Sequence, residues 1–106
     1  MHAAMTAAAA GFALCASAAL AEEFTVTMSG ETYAPDRIRA ATGDTIRFVN
    51  DDAANHNVFV PTAGHALDIG AQEPGEARTL VLRTPGTIQV ECVIHPHMLL
   101  TVEVSG

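Results

Sequence analysis

The sequence contains no lysine, and this absence limits the class of partner that the protein can bind. Its basic side chains are five arginines, which stand against twelve acidic residues and leave a net charge of −7. Nucleic-acid-binding proteins carry clustered basic side chains, so the composition argues against a nucleic-acid partner. An acidic surface favours electrostatic steering toward a basic protein, although acidity also serves solubility.

Charge is also missing from the N-terminal segment. No charged residue occurs from Ala3 to Ala21, where alanine predominates, and the segment ends in Ala19-Leu20-Ala21. An apolar stretch that closes on a small-x-small pattern is typical of a secretory signal peptide. We therefore predict a signal peptide over residues 1–21, export to the periplasm, and one domain over residues 22–106 without stable membrane insertion after cleavage. The alternative is an uncleaved membrane anchor, for which alanine is only weakly apolar.

Cysteine is scarce, and only Cys92 of the two cysteines lies outside the predicted signal peptide. An exported domain with a single thiol cannot close an internal disulfide, although disulfides are common in small exported domains. Cys92 is therefore either buried and inert or bound to a metal. A metal would also stabilise a domain of this size, because small domains bury only a modest part of their surface.

Helical periodicity is absent after Ala21, and apolar residues alternate with polar ones over short runs. Such alternation predicts β-strands with one buried face. Seven runs have this pattern: Phe24–Met28, Arg37–Ala40, Thr45–Asn50, Asn57–Val60, Ala77–Arg83, Thr87–Cys92 and Leu100–Val104. The segment Pro61–Gly75 is rich in proline, glycine and alanine and predicts a loop. About seven short strands separated by turns predict an all-β antiparallel sandwich.

The segment Cys92–Met98 offers three kinds of metal ligand between two predicted strands. It contains the thiol of Cys92, the imidazole of His95 and the thioether of Met98. Soft sulfur ligands combined with imidazole suit copper, and two histidines, one cysteine and a weak axial methionine form the blue-copper site of electron-transfer proteins. His56 is the natural second imidazole, because the start of one strand and the end of another can meet at the same end of a sandwich.

Three segments of the sequence resemble the cupredoxins, in particular the amicyanin and plastocyanin branch. They are "GDTIRFVN" at Gly43–Asn50, "HNVFV" at His56–Val60 and "CVIHPHM" at Cys92–Met98. The C-x-x-H-P-x-M spacing is similar to the short ligand loop of amicyanins. The resemblance extends over residues 22–106 and implies a Greek-key β-sandwich of the cupredoxin type. It also implies one type 1 copper with the ligands His56, Cys92, His95 and Met98.

The same resemblance implies a role and two details of the site. The protein would be a monomeric periplasmic single-electron carrier, not an enzyme, whose redox partner is a c-type cytochrome or a periplasmic dehydrogenase. The backbone N–H of Asn57 would donate to the Cys92 sulfur and tune its potential. The electron would leave through His95, inside an apolar ring formed by Pro61, Ile94 and Pro96.

Other functions use the same residues and stay open at this point. A periplasmic copper-binding or transport protein without an electron-shuttle role is the main alternative, although such carriers often rely on exposed methionine and histidine without a thiolate. A structural zinc site could use Cys92 and two histidines, but it would leave Met98 without a role. A multicopper enzyme would need further copper centres. His95-Pro96-His97 has the spacing for one of them, yet the chain is too short to supply the others.

The remaining candidates have simpler structural interpretations. Cys92 could be an inert core thiol, His56 a loop histidine and Met98 a core methionine. We expect His97 to be exposed, with competition for copper or a pH effect on electron exit as its alternative. We expect His65 to be solvated, with a joint peripheral metal site with His97 as its alternative. We assign Met28 and Tyr33 to structure. The acidic pairs Glu22-Glu23 and Asp51-Asp52 are interpreted as solvated charge, not as catalysts.

Overall fold

The computed structural model describes residues 20–62, 64 and 67–106. These residues form nine strands, which are, in chain order, β1 (Glu23–Ser29), β2 (Thr32–Ala34), β3 (Arg37–Ala41), β4 (Thr45–Asn50), β5 (His56–Val60), β6 (Leu67–Gln72), β7 (Ala77–Val81), β8 (Gly86–Glu91) and β9 (Leu99–Ser105). In this part of the chain we find no helix with the length and apolarity needed to cross a membrane.

The strands form two sheets that enclose one core. The first sheet has the order β2-β1-β4-β7, and the second has the order β3-β9-β8-β5-β6. Both sheets contribute one apolar face, as the period-two pattern predicts. Val26, Ile46 and Phe48 from the first sheet meet Val58 and Val102 from the second in a single buried cluster. The predicted class, an all-β Greek-key β-sandwich, is confirmed.

Two strands were not predicted, so the expected count of seven is too low. β2 has three residues and pairs only with β1 across a tight turn. β6 lies within the segment Pro61–Gly75 that was predicted as a loop, and this prediction is wrong for Leu67–Gln72. Gly70 adopts a left-handed φ of 87° inside β6, beside an irregular register with β5. Glycine in a strand weakens the alternation signal and marks such irregularities.

The expectation of a purely antiparallel sandwich is also wrong. β1 pairs with β4 in parallel, and β3 pairs with β9 in parallel. Alternation along one strand shows which residues face the core, but it contains no information on the direction of the neighbouring strand. Both sheets are therefore mixed, and the apolar residues of the alternating runs nevertheless face the core.

The topology brings two distant loops to one end of the sandwich, which we call the upper pole. β8 is antiparallel to both β5 and β9. Glu91, the last residue of β8, pairs with Phe59 of β5 and with Leu99 of β9, so the residues that follow Glu91 lead toward the start of β5 at His56. Residues 51–56 and 92–98 together define the upper pole, and they contain all the predicted metal ligands.

Candidate metal centre

Three predicted ligands converge at the upper pole. Sγ of Cys92 lies 3.9 Å from Nδ1 of His56 and 3.8 Å from Nδ1 of His95. The three ligand atoms all lie within 4.8 Å of one another. His56 and Cys92 are fully buried, whereas His95 is half-buried. Two protected ligands and one that reaches the surface therefore share one point in space.

The spacing of these atoms fits a single metal ion. With the bond lengths of zinc, a first-row metal of similar size to copper, which are about 2.1 Å to nitrogen and about 2.3 Å to sulfur, a three-fold arrangement separates nitrogen from sulfur by about 3.8 Å. The observed separations of 3.8 and 3.9 Å agree with this value. A thiolate with two imidazoles is also the donor set that copper prefers in a trigonal site. The residues present therefore fit a copper ion by chemistry and by distance.

Two tight turns shape the loop that holds Cys92, His95 and Met98. The N–H of His95 donates to the carbonyl of Cys92 at 3.2 Å, and the N–H of Met98 donates to the carbonyl of His95 at 2.9 Å. Met98 is buried, with 1% of its surface exposed, and belongs to the core cluster. Its role as an axial ligand stays a prediction.

The backbone N–H of Asn57 donates to Sγ of Cys92 over 3.3 Å. This bond is the one that the resemblance implied. The Asn57 side chain fastens the same region, because Nδ2 donates to Oδ1 of Asp68 at 3.0 Å and Oδ1 accepts the N–H of Val93 at 3.4 Å. Asn57 thus joins the start of β5, β6 and the ligand loop around the sulfur atom.

Asp52 holds the other side of the His56 ring, and sequence reasoning missed it. Its Oδ2 lies 2.9 Å from Nε2 of His56, and the Asp52 side chain is 23% exposed. The hydrogen bond from His56, followed by one from the Ala53 backbone, lowers the pKa of the Asp52 carboxyl. A proton on Nε2 that points at this carboxylate leaves the Nδ1 lone pair facing Cys92. The interpretation of Asp51-Asp52 as solvated charge is therefore wrong for Asp52; its position four residues before His56 was the available signal.

Asn50 closes the loop that contains Asp52. Its side-chain Nδ2 donates to the carbonyls of Ala54 and Gln72, each at 2.9 Å. Its Oδ1 accepts the N–H of Asp52 at 3.1 Å. Asn50 is fully buried, so these bonds are shielded from water and fix the loop relative to β6. The Asp52 side chain is consequently oriented before a metal ion binds to His56.

Among the described residues, His97 is the one further histidine, and it takes no part in this cluster. His97 has a 63% exposed side chain, and its Nε2 lies 3.1 Å from Oε1 of Glu31. The predicted exposure of His97 is confirmed, and the Glu31 carboxylate lies within hydrogen-bonding distance of it. His65 lies outside the described residues, as does the joint site suggested for it with His97.

The apolar ring expected around His95 is only partly present. Ile94 is 50% exposed, and Pro96 is also exposed beside His95. Pro61 follows the last residue of β5, whereas His56 is its first. At a rise of about 3.3 Å per residue, Pro61 lies about 16 Å along β5 from His56. The inclusion of Pro61 in the ring is therefore wrong.

The mixed β-sandwich and its Cys-His-His cluster define a copper-binding protein of the cupredoxin class. A family model described as the cupredoxin-like domain matches residues 2–102, and the chain belongs to this family. The chain is also 32% identical over 89 residues to the methylamine utilization protein MauL of Methylorubrum extorquens, covering 83% of this chain and 78% of that protein.

Two solved structures illustrate the structural similarity. The Cu(I) form of an amicyanin mutant is 29% identical with a TM-score of 0.72, covering 85% of this chain and 88% of that one. A copper-containing nitrite reductase from Thermus scotoductus SA-01 has a TM-score of 0.73 at 24% identity. This chain covers only 22% of the reductase, so the likeness shows the fold alone. The predictions of a cupredoxin similar to amicyanin and of a copper cofactor are confirmed.

Proposed function

We propose that this chain is a periplasmic single-electron carrier with one type 1 copper, and not an enzyme. The residues that would hold the copper are His56, Cys92 and His95, and the thioether of Met98 would add a weaker contact. The proposal depends on one observation, namely the thiol and two imidazole nitrogens that lie within 4.8 Å of one another at the upper pole. Copper supplies exchange of one electron between its Cu(I) and Cu(II) states.

The protein's own residues keep the site ready for that exchange. His56 and Cys92 are fully buried, and each is held by a neighbour, His56 by Asp52 and Cys92 by the N–H of Asn57. Ligands held in this way need little rearrangement between the two oxidation states, and the hydrogen bonds around them tune affinity and potential. A carrier requires this rigidity, whereas a cargo site that must release its metal does not.

The half-buried His95 reaches the surface and provides the route by which the electron leaves the site. Three large apolar side chains in the segment 93–99, which contains His95, are exposed, and they form what we call the apolar rim: Val93 at 62%, Ile94 at 50% and Leu99 at 48%. Exposed apolar patches mark interaction sites on monomeric proteins, and small interfaces suit brief redox encounters. We propose that a redox partner docks on this rim while the protein itself is a monomer.

The partner that we propose is a basic redox protein, either a c-type cytochrome or a periplasmic dehydrogenase. The net charge of −7 supports electrostatic steering toward such a partner. The similar protein from Methylorubrum extorquens is named for methylamine utilization. Of the two candidate partners, this name favours a periplasmic dehydrogenase that oxidises an amine. Export by a signal peptide over residues 1–21, which precede β1, is part of the same proposal.

Spectroscopy of the exported protein tests the proposal. The chain is expressed with its leader and isolated from the periplasmic fraction, where we expect a mass that matches residues 22–106. Loaded with Cu(II), it should show the intense visible absorption and the EPR signal of a copper–thiolate bond. The Cys92→Ser variant should lose both, whereas His97→Ala should keep both because His97 lies outside the cluster.

The main alternative predicts a different result. A copper-transport protein would bind the metal without the intense visible band and would keep its affinity in Cys92→Ser. Buried Cys92 at the centre of the cluster argues against that outcome. A wild-type Cu(II) complex without the intense visible band would overturn the carrier function.

A further inference from the structure

The backbone N–H and carbonyl of Asn57 have no partner in β8, so they need hydrogen-bond partners outside the sheet. The ladder between β5 and β8 consists of one residue pair, Phe59 with Glu91. Buried backbone groups are almost always paired, and Asn57 is 6% exposed. Its N–H finds the sulfur of Cys92 at 3.3 Å, and its carbonyl accepts a hydrogen bond from the phenol of Tyr33 at 2.7 Å.

Tyr33 reaches Asn57 from the opposite sheet. It lies in β2, at the edge of the first sheet, whereas Asn57 lies in β5 of the second. The ring is 3% exposed and packs edge-on against Phe48, with ring centroids 6.1 Å apart at an angle of 70°. Burial and the contact with Phe48 leave the phenol little freedom, so its position is set by the core.

The phenol of Tyr33 stays a donor throughout the physiological pH range. Burial, followed by the nearby Cys92 and Glu91, raises its pKa far above the usual value. A buried tyrosine usually finds some partner for its hydroxyl, so the bond alone shows only that the phenol is satisfied. What distinguishes this bond is its acceptor, because Asn57 is the residue whose N–H is aimed at the sulfur.

We propose that Tyr33 is a positioning residue for the metal site, which fixes the N–H of Asn57 on the Cys92 sulfur by anchoring the Asn57 carbonyl from the opposite sheet. The functional part of this inference rests on the proposed copper site, because it assigns Cys92 as a ligand. Asn57 is held at both ends of its backbone, and its φ and ψ angles are therefore fixed. Loss of the phenol leaves a buried carbonyl unpaired, and the residue must rotate or admit water to satisfy it.

The Tyr33→Phe variant removes this one bond and keeps the aromatic packing. In the metal-free protein, we expect hydrogen exchange at the Asn57 amide, measured by NMR, to become at least about tenfold faster. In the copper-loaded protein, we expect affinity in chelator competition to fall about tenfold, the lower range for loss of an outer-shell partner. The matched control is Thr42→Val, which removes another hydroxyl-to-carbonyl bond, from Thr42 to Ser105 at the opposite pole, and should change neither quantity.

A second modification guards against a variant that fails to fold. The sequence has one tyrosine, so biosynthetic replacement of tyrosine by fluorotyrosine changes only position 33. The more acidic phenol is a stronger donor, and the Asn57 amide should then exchange more slowly than in the wild type.

The two proposals fail in different ways. Unchanged Asn57 exchange in Tyr33→Phe, or in the fluorotyrosine protein if Tyr33→Phe does not fold, would overturn the positioning role even if the wild type binds copper. Faster exchange in Tyr33→Phe, together with a wild type that forms no copper–thiolate bond, would support the anchor and overturn the proposed function.

Discussion

Asp52 and Asn57 each restrain one of the two buried candidate ligands, His56 and Cys92. An imidazole can rotate about its side-chain bonds, and a thiol can take several rotamers. The carboxylate of Asp52 stops the first motion by its contact with Nε2 of His56. The N–H of Asn57 restrains the second by its contact with the Cys92 sulfur. The site is therefore preorganised by two individual residues, each of which restrains one neighbouring side chain.

The Asp52→Ala variant should bind copper more weakly. Without the carboxylate, the His56 ring loses its orientation and its preferred tautomer, and loss of such a partner costs about 10- to 100-fold in metal affinity. Chelator competition measures the change. The matched control is Asp51→Ala, because Asp51 is the adjacent acid, carries the same charge and is exposed. Equal affinities in the two variants would show that charge, and not ring orientation, is the contribution of Asp52.

The sequence indicated the three clustered candidate ligands and, through the resemblance, the Asn57 contact with Cys92, but neither Asp52 nor Tyr33. His56, Cys92 and His95 are recognisable because few other residue types supply nitrogen and sulfur ligands at that spacing. Asp52 looks like any solvated acid until the turn between β4 and β5 places it against His56. Tyr33 looks like any core aromatic until the two sheets are packed. Such contacts depend on three-dimensional loop geometry, which alternation along the chain does not encode.

The strand elements show a similar division. Strands with strict alternation, such as β4 and β9, have the predicted core residues and nearly the predicted bounds. β2 is too short for a pattern, and glycine interrupts β6. The parallel pairing of β1 with β4 depends on long-range topology. Burial is thus predictable from local sequence, whereas partners and directions are not.

Asp44, in the turn between β3 and β4, accepts two backbone hydrogen bonds from different parts of the chain. Oδ1 of Asp44 accepts the N–H of Glu22, and Oδ2 accepts the N–H of Ala41, both at 2.8 Å. Gly43 provides the left-handed φ of 98° that this turn requires. The two backbone bonds, that of Glu22 first, lower the pKa of the Asp44 carboxyl. One carboxylate therefore ties the start of β1 to the β3–β4 connection.

The lowered pKa of Asp44 predicts a pH dependence of stability. A carboxyl whose folded pKa lies below its unfolded value stabilises the fold above the unfolded pKa, near pH 4, and loses that contribution as pH falls through the folded pKa. Asp44→Asn should lower the free energy of unfolding at neutral pH and flatten its decline in acid, as measured by urea unfolding at several pH values. Asp36→Asn, at an exposed position, should keep the wild-type slope. A wild-type slope in Asp44→Asn would contradict the assignment.

On the scale of the whole molecule, the site joins segments that are far apart in sequence. His56 and Cys92 are separated by 36 positions, and they meet because β8 runs antiparallel to β5. A metal bound to both would close a long loop and stabilise the folded state that presents it. The sandwich therefore forms the site, and we expect the bound metal to strengthen the sandwich in return.

Anomalous diffraction at the copper absorption edge, from a crystal of the copper-loaded protein, tests the central claim most directly. The account predicts one strong peak at the upper pole, within bonding distance of Nδ1 of His56, Sγ of Cys92 and Nδ1 of His95. The thioether of Met98 should be a longer fourth contact. A peak on the exposed His97, or a copper ion that does not touch the Cys92 sulfur, would contradict it.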